Sequence, residues 1–490
     1  MLFNSIQFLL FFPAVCLLYF LLPQKARPVW LLAASYFFYM CWNVRYVVLL
    51  LLSTLLTYGA AWAIDRCRRR GWRRFWLAFG LASNLGILFF FKYVNFLLET
   101  LAGLAAAVGV TLAMPRLDVL LPVGISFYTF QALSYTLDVY RGAIQRERSF
   151  LTYALYVSFF PQLVAGPIER SGALLPQLRQ PHPFDPDRVR DGLLLMLWGF
   201  FEKLVIADRA AVLVDAVFSD PDSCGGVGRV LAAVLFCVQL YCDFGGYSHI
   251  AIGAAQVLGV RLSANFRQPY LACSIDDFWR RWHISLTRWF TDYLYIPLGG
   301  SRRGQLRTCC NLLAVFFVSG LWHGAAWHFV AWGLLHGLYK IAARLTRPPR
   351  RALYARLHWN TNSFAWRLGQ RVTTFALVCV AFVFFRAQTV RQALSFLAGI
   401  PGRWDPWMLV DGTLFGLGLN GWELAVLLGA LLVLLAVDAA RERGLPLRRM
   451  VTAQPLPLRW LVYDAAVLSL LVFGIWGPQY DAAAFLYFQF

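Results

Sequence analysis

The chain has 490 residues, of which 59% are hydrophobic, 17% aromatic and only 14% charged, so it lacks the charged quarter that a soluble domain spreads over its surface. Phe 41, Tyr 21 and Trp 19 also exclude a disordered chain, which needs low hydrophobicity. The excess of 45 Lys+Arg over 25 Asp+Glu falls in short loops between apolar runs, a pattern that orients a membrane protein and meets anionic lipid head groups; it does not call for nucleic acid. In chain order, apolar runs long enough to span, or nearly so, cover residues 2–22, 29–42, 46–64, 75–91, 94–110, 150–165, 193–206, 230–241, 311–321, 330–341, 372–385, 422–437 and 460–476. A hydrocarbon core of ~30 Å needs about 20 helical residues, so the shorter runs predict tilted, re-entrant or buried pieces. The first run lacks a basic n-region and an A-x-A site and reads as a retained first span. The strongest basic loop is Arg66 to Arg74, which predicts a cytoplasmic loop there and an extracytoplasmic N-terminus.

The expectation is one integral-membrane domain over 1–490: an all-α polytopic protein with about eleven transmembrane helices, plus re-entrant and interfacial helices enclosing a tunnel. Cys16, Cys41, Cys237 and Cys379 lie inside apolar runs, Cys242 directly follows one, and no C-x-x-C occurs. Buried Cys behaves as a small hydrophobe, so neither a disulfide framework nor a zinc site is expected.

Polar side chains inside membrane segments are costly, which makes them the functional candidates. Five of the seven His lie between His249 and His336. His323 stands within Gly320-x-x-x-Gly324, where an imidazole suits general-base chemistry near neutrality; close helix packing by the two glycines is the competing account. On one continuous helix His328 and His336 would stand about 140° and 220° from His323, which speaks against a three-His metal site. From Asp276 to Pro297 the residues Trp279, Trp282, Leu286, Trp289 and Tyr293 step 3, 4, 3, 4. That spacing predicts one aromatic-seamed helix at the interface, with Asp277 and Arg281 paired across a turn and His283 on its polar side. Asp243 interrupts an apolar run before Gly245-Gly246, where a bend is expected, and is read as a partner for a cation or His. The Pro161–Arg170 stretch, broken by Pro and Gly, is open between a binding loop and a helix end.

These stretches, with Leu121–Gln131, Asn265 to Tyr270, Asp277–Gly300, Gly320–Gly337 and the closing Phe485–Phe490, together resemble the membrane-bound O-acyltransferase family, and within it the bacterial branch that includes the alginate O-acetyltransferase membrane subunit. The resemblance implies acyl transfer with His323 and His283 catalytic. Around them, Asp243, Trp279, Arg280, Arg281, Trp282, Asn311, Trp322 and His336 are the donor or tunnel-lining set. Arg302 and Arg303 join Arg280 and Arg281 as candidates for a donor's phosphates. No metal and no bound cofactor is implied; the donor is acetyl-CoA or another acetyl thioester. A secreted polysaccharide as final acceptor, a periplasmic acetyltransferase partner and a bacterial inner membrane location follow from the same likeness. His249 stands where relatives carry an acid, and Thr291 where they carry Arg. A proton-coupled transporter or flippase is the alternative, although paired broken helices in matched halves are absent from the sequence.

Overall fold

Apolar runs closed by Arg-rich or Gly/Pro loops fold as helices throughout. The computed structural model describes residues 1–112, 114–118 and 120–476, and no strand occurs among them. The closing Phe485–Phe490 stretch lies outside the described residues. The first helices are α1 (Ile6–Leu21), α2 (Arg27–Met40), α3 (Tyr46–Arg66), α4 (Arg70–Lys92), α5 (Val94–Ala107), α6 (Ile125–Arg141), α7 (Phe150–Ser158), α8 (Phe160–Leu163), α9 (Ser171–Arg179), α10 (Pro186–Phe200) and α11 (Asp208–Ser219). They continue with α12 (Gly225–Val257), α13 (Ile275–Arg281), α14 (Ile284–Phe290), α15 (Gln305–His323), α16 (Trp327–Leu345), α17 (Arg347–Arg356), α18 (Phe364–Arg386), α19 (Val390–Ala398), α20 (Gly421–Glu442), α21 (Leu447–Thr452) and α22 (Leu456–Phe473). Seven of them, α3, α4, α12, α15, α18, α20 and α22, are long and apolar enough to cross a bilayer; α1 and α5 are shorter apolar helices. The all-helical, multi-pass expectation therefore holds, with seven helices among the described residues long and apolar enough to cross.

The chain forms two units: Met1–Met196 with Ile250–Ser263, and Leu197–His249 with the chain from Ala264 onward. In the first, small and hydroxylated residues let helices approach. A side chain at Gly80 of α4 would stand 2.9 Å from Ala60 Cβ of α3, and Ser53 Oγ of α3 donates to Asn84 Oδ1 of α4 at 2.5 Å. At the Arg66–Arg74 turn, Arg66 lies over Trp62 at 4.5 Å and Arg73 reaches the Tyr140 carbonyl, so these cations fold back along helix ends in the manner of interfacial anchors.

In the second unit, the chain enters α11 through a π-helical segment, Phe201–Ala207, a geometry that recurs at functional sites. α12 runs unbroken through Gly245 and Gly246, so the expected bend is absent. The physical reason is packing: a Cβ on Gly246 would meet Gly199 O at 2.7 Å and Glu202 Cβ at 3.2 Å. The predicted helix over 276–297 is also not continuous. It breaks at Trp282–His283, between α13 and α14, and ends in a π turn, Thr291–Tyr295. α15 and α16 form a hairpin whose helices meet almost backbone to backbone. A Cβ on Gly320 would stand 2.4 Å from Phe329 O, and one on Gly333 would stand 2.3 Å from Phe316 O.

Candidate active site

Two helix ends in the second unit build the site. The aromatic seam of α13 and α14 packs inward, with Trp279, Trp282, Leu286 and Trp289 all buried. At the break between them His283 takes φ 42° and ψ 55°, left-handed backbone in a residue that is not glycine, and so leaves the helical face on which spacing placed it. Its ring is fully buried, edge-on to Phe244 at 4.7 Å and 90°. The backbone of the loop before it supports the break: Arg267 N donates to Arg281 O and Ile284 N to Asn265 O, both at 2.9 Å.

His323 is the last residue of α15, stopped by Gly324 in an extended conformation. Glycine is required there because a Cβ would stand 2.0 Å from the Phe329 ring. The His323 ring is edge-on to Trp332 at 4.8 Å and to Phe385 at 5.4 Å. Forty residues apart in sequence, the His283 and His323 rings come to 6.1 Å between centroids, with the Trp322 ring 5.8 Å from His283. One reacting carbonyl placed between two such rings lies within reach of both, the arrangement that a base and a hydrogen-bond donor need. Burial pushes the His283 imidazole down from its ordinary 6.5 to about 3. That favours the neutral ring, which offers one nitrogen as a donor and the other as an acceptor.

The other sequence candidates divide. Trp279 and His336 share an aromatic cage, 5.0 Å apart and edge-on, with Phe316 and Phe382. Trp282 packs on Phe278 and Phe266. Asn311 donates to Gly300 O at 2.9 Å, fixing the glycine turn before α15. Arg281 spends its guanidinium on carboxylates: Nε bonds Asp277 at 3.0 Å, and Nη1 and Nη2 bond Glu442 at 2.7 and 3.1 Å. Such a fork–fork pair leaves it poorly placed for a phosphate. Arg280, Arg302 and Arg303 are exposed. Asp243 is an ion-pair partner, with Lys203 Nζ at 2.6 Å and Asp208 2.7 Å from the same ammonium. His249 meets Glu202 at 2.6 Å. Sequence reading missed Glu202 and Lys203, although two adjacent opposite charges inside the apolar run 193–206 were the signal.

It also missed a cavity of about 280 Å³ walled by Trp279, Phe316 and Ser319 and edged by Lys340, Arg344 and Arg347. Lys340 pairs with Asp276 at 3.2 Å. Thr291 lines this space, so the short side chain that replaces the expected Arg leaves it open. Ser319 stands one helical turn before His323 on α15.

A profile of the membrane-bound O-acyltransferase family matches residues 143–385. A protein of Pseudomonas putida named as a probable alginate O-acetylase, AlgI, is 36% identical and covers all of both chains. The chain belongs to the membrane-bound O-acyltransferase family. A peptidoglycan O-acetyltransferase of Helicobacter pylori is 36% identical over 82% of this chain and 80% of its own. A teichoic acid D-alanyltransferase of Streptococcus thermophilus is 28% identical over 44% of this chain and 55% of its own. These relatives make the chain a multi-pass O-acyltransferase, as the motifs around both histidines imply, and the family match runs through the segments that carry His283 and His323.

Proposed function

We propose that this O-acyltransferase moves an acetyl group from a cytoplasmic thioester donor to an extracytoplasmic acceptor, for O-acetylation of a secreted polysaccharide. The observation that carries the reading is the pair of buried imidazoles 6.1 Å apart; a cation-edged cavity lined by Ser319, one helical turn before His323 on α15, supports it. Nε2 or Nδ1 of His323 takes the proton of an acceptor hydroxyl as its oxygen attacks the thioester carbon. The carbon–oxygen bond forms, the carbon–sulfur bond breaks, and the departing thiolate recovers the proton from the imidazolium. His283, held neutral, donates to the carbonyl oxygen as charge develops there; losing such a donor typically costs about 10²–10³ in rate.

Several features support the direction of transfer. The basic Arg66–Arg74 loop supports a cytoplasmic side there and an extracytoplasmic N-terminus, and by the same rule the basic stretch that Arg344 and Arg347 open between α16 and α18 suits a cytoplasmic loop. From Lys340 to Trp332, on which the His323 ring packs, the rise along α16 is about 12 Å, the reach of an arm as long as about four extended residues. A donor whose thioester ends such an arm, with its phosphate on Lys340, Arg344 and Arg347, brings the acyl carbon to His323. Relatives named for alginate and peptidoglycan O-acetylation support a polysaccharide as final acceptor. A periplasmic acetyltransferase partner would then accept the acetyl group, with both units acting as one domain in a bacterial inner membrane.

The test supplies acetyl-CoA to the purified protein in liposomes and counts thiol released. His323→Gln keeps size and hydrogen bonding without a base near neutrality, so release should stop at unchanged protein abundance. Release that persists in this variant returns His323 to helix packing. Labelling of a cysteine placed at Arg70 only from outside would overturn the orientation.

A further inference from the structure

The left-handed backbone at His283 decides where its ring points. In a continuous helix the residue between Trp282 and Ile284 would project along the α13–α14 face; at φ 42° it turns instead toward Trp322 and His323. L side chains rarely occupy that region unless neighbours enforce it. The enforcing side chain is Asn265, only 1% exposed. Its Oδ1 accepts from Ser285 Oγ at 2.9 Å and from Ser285 N at 3.4 Å, and its Nδ2 donates to Ser248 Oγ at 3.2 Å. The contacts reach the first turn of α14, where backbone N–H groups lack helical partners. They also reach α12 one turn after Phe244, the ring that walls His283. Asn265 thus ties together both elements that touch this imidazole, and its neighbour Phe266 lies parallel to the ring at 6.5 Å and 15°.

We infer that Asn265 is the positioning residue for His283, fixing the donor imidazole through Ser285 and Ser248 without touching the reacting groups. This rests on the active-site role proposed for His283. A displaced donor weakens transition-state stabilisation and leaves donor binding alone, so the loss belongs in kcat.

The experiment measures acetyl transfer from a thioester donor at matched protein levels in membranes. Asn265→Ala should lower kcat about 100-fold with KM for the donor unchanged. Ser285→Ala, which removes one donor from the same amide and spares the fold, should lower kcat about tenfold, and Ser285→Thr, which keeps the hydroxyl, should restore it. In a His283→Ala background Asn265→Ala should cost nothing further, because there is no imidazole left to place. If Asn265→Ala does not accumulate, Ser285→Ala decides. Wild-type kcat in Ser285→Ala, or a raised KM with kcat intact, overturns the inference while an inactive His283→Ala leaves the site reading standing. An active His283→Ala overturns the site reading itself.

Discussion

Gly333→Ala is the sharpest probe of how the hairpin holds His323. The added Cβ would stand 2.3 Å from Phe316 O and 3.1 Å from Gly320 Cα, where ordinary contact begins at 3.4 Å. Both obstacles are backbone and neither can rotate away, so α15 and α16 must part by about 1 Å, an overpacking strain of about 1–3 kcal/mol. Gly320 lies three residues before His323 on the helix that moves, so the imidazole shifts with it against the ring of His283. A displacement of about 1 Å at reacting groups costs on the order of 100-fold, or about 2.7 kcal/mol of barrier. Acetyl transfer from a thioester, assayed in membranes at matched abundance beside a thermal melt, should show that loss in kcat. Gly429→Ala on α20, where nothing lies within 4 Å, is the control and should leave rate and melting near wild type. Wild-type rate in Gly333→Ala would refute the claim that the close helix crossing sets the position of His323.

His283→Ala and His323→Ala should be non-additive, the double variant being no slower than the poorer single one, since a shared step is already lost; multiplying defects, measured in the same transfer assay, would separate the two residues. Replacing Lys340, Arg344 and Arg347 together by Gln should raise KM for a phosphate-bearing donor about tenfold or more at low salt and flatten its salt dependence, with kcat retained; an unchanged KM would remove the cavity from donor binding. Burial favours neutral His283 in the folded chain, so on acidification the unfolded chain takes up the proton first. The stability contribution is present above about 6.5 and declines as pH falls toward about 3. Melting temperatures of His283→Gln in detergent should therefore fall less steeply than wild type across that window, and parallel curves would contradict the burial.

Much of the fold was legible because bilayer crossing demands long apolar helices and little else. The run 46–64 became α3 and 372–385 became α18, each lengthened by polar ends that hydropathy cannot register. The break at His283 was hidden for a definite reason. The 3, 4, 3, 4 seam continues across it, left-handed backbone at one non-glycine residue costs only about 1–2 kcal/mol, and the groups hydrogen-bonded to the break, on Asn265 and Arg267, lie outside the segment. Glu202 and Lys203 were hidden differently: in a window average two adjacent opposite charges vanish among Leu, Val and Phe, and only the packed structure shows Lys203 between Asp208 and Asp243. That His283 and His323 belong together came from family likeness, since no local spacing connects residues forty apart.

The breaks that create the site are closed ones, which bears on how it works. Irregular backbone in a buried part of a protein persists only where its polar groups find partners. At the His283 break Ile284 N and Arg267 N are satisfied by main-chain carbonyls at 2.9 Å, and at the other Gly324 N reaches Gly320 O at 3.3 Å. The second interruption is further constrained by Gly324, whose Cβ would stand 2.0 Å from the Phe329 ring, and the helix that carries His323 is held against α16 by Gly333, close to Phe316 O. A carrier that alternates between two openings needs broken helices whose halves rock against one another. Breaks sealed by hydrogen bonds and backbone contact do the reverse, holding two imidazoles at one separation before any substrate arrives. Fixed dipoles aimed at a developing charge are what acyl transfer draws on. The same rigidity explains why the chain uses a hydrogen-bonded asparagine and tight glycines around its histidines, where a hinge would loosen the geometry that the chemistry needs.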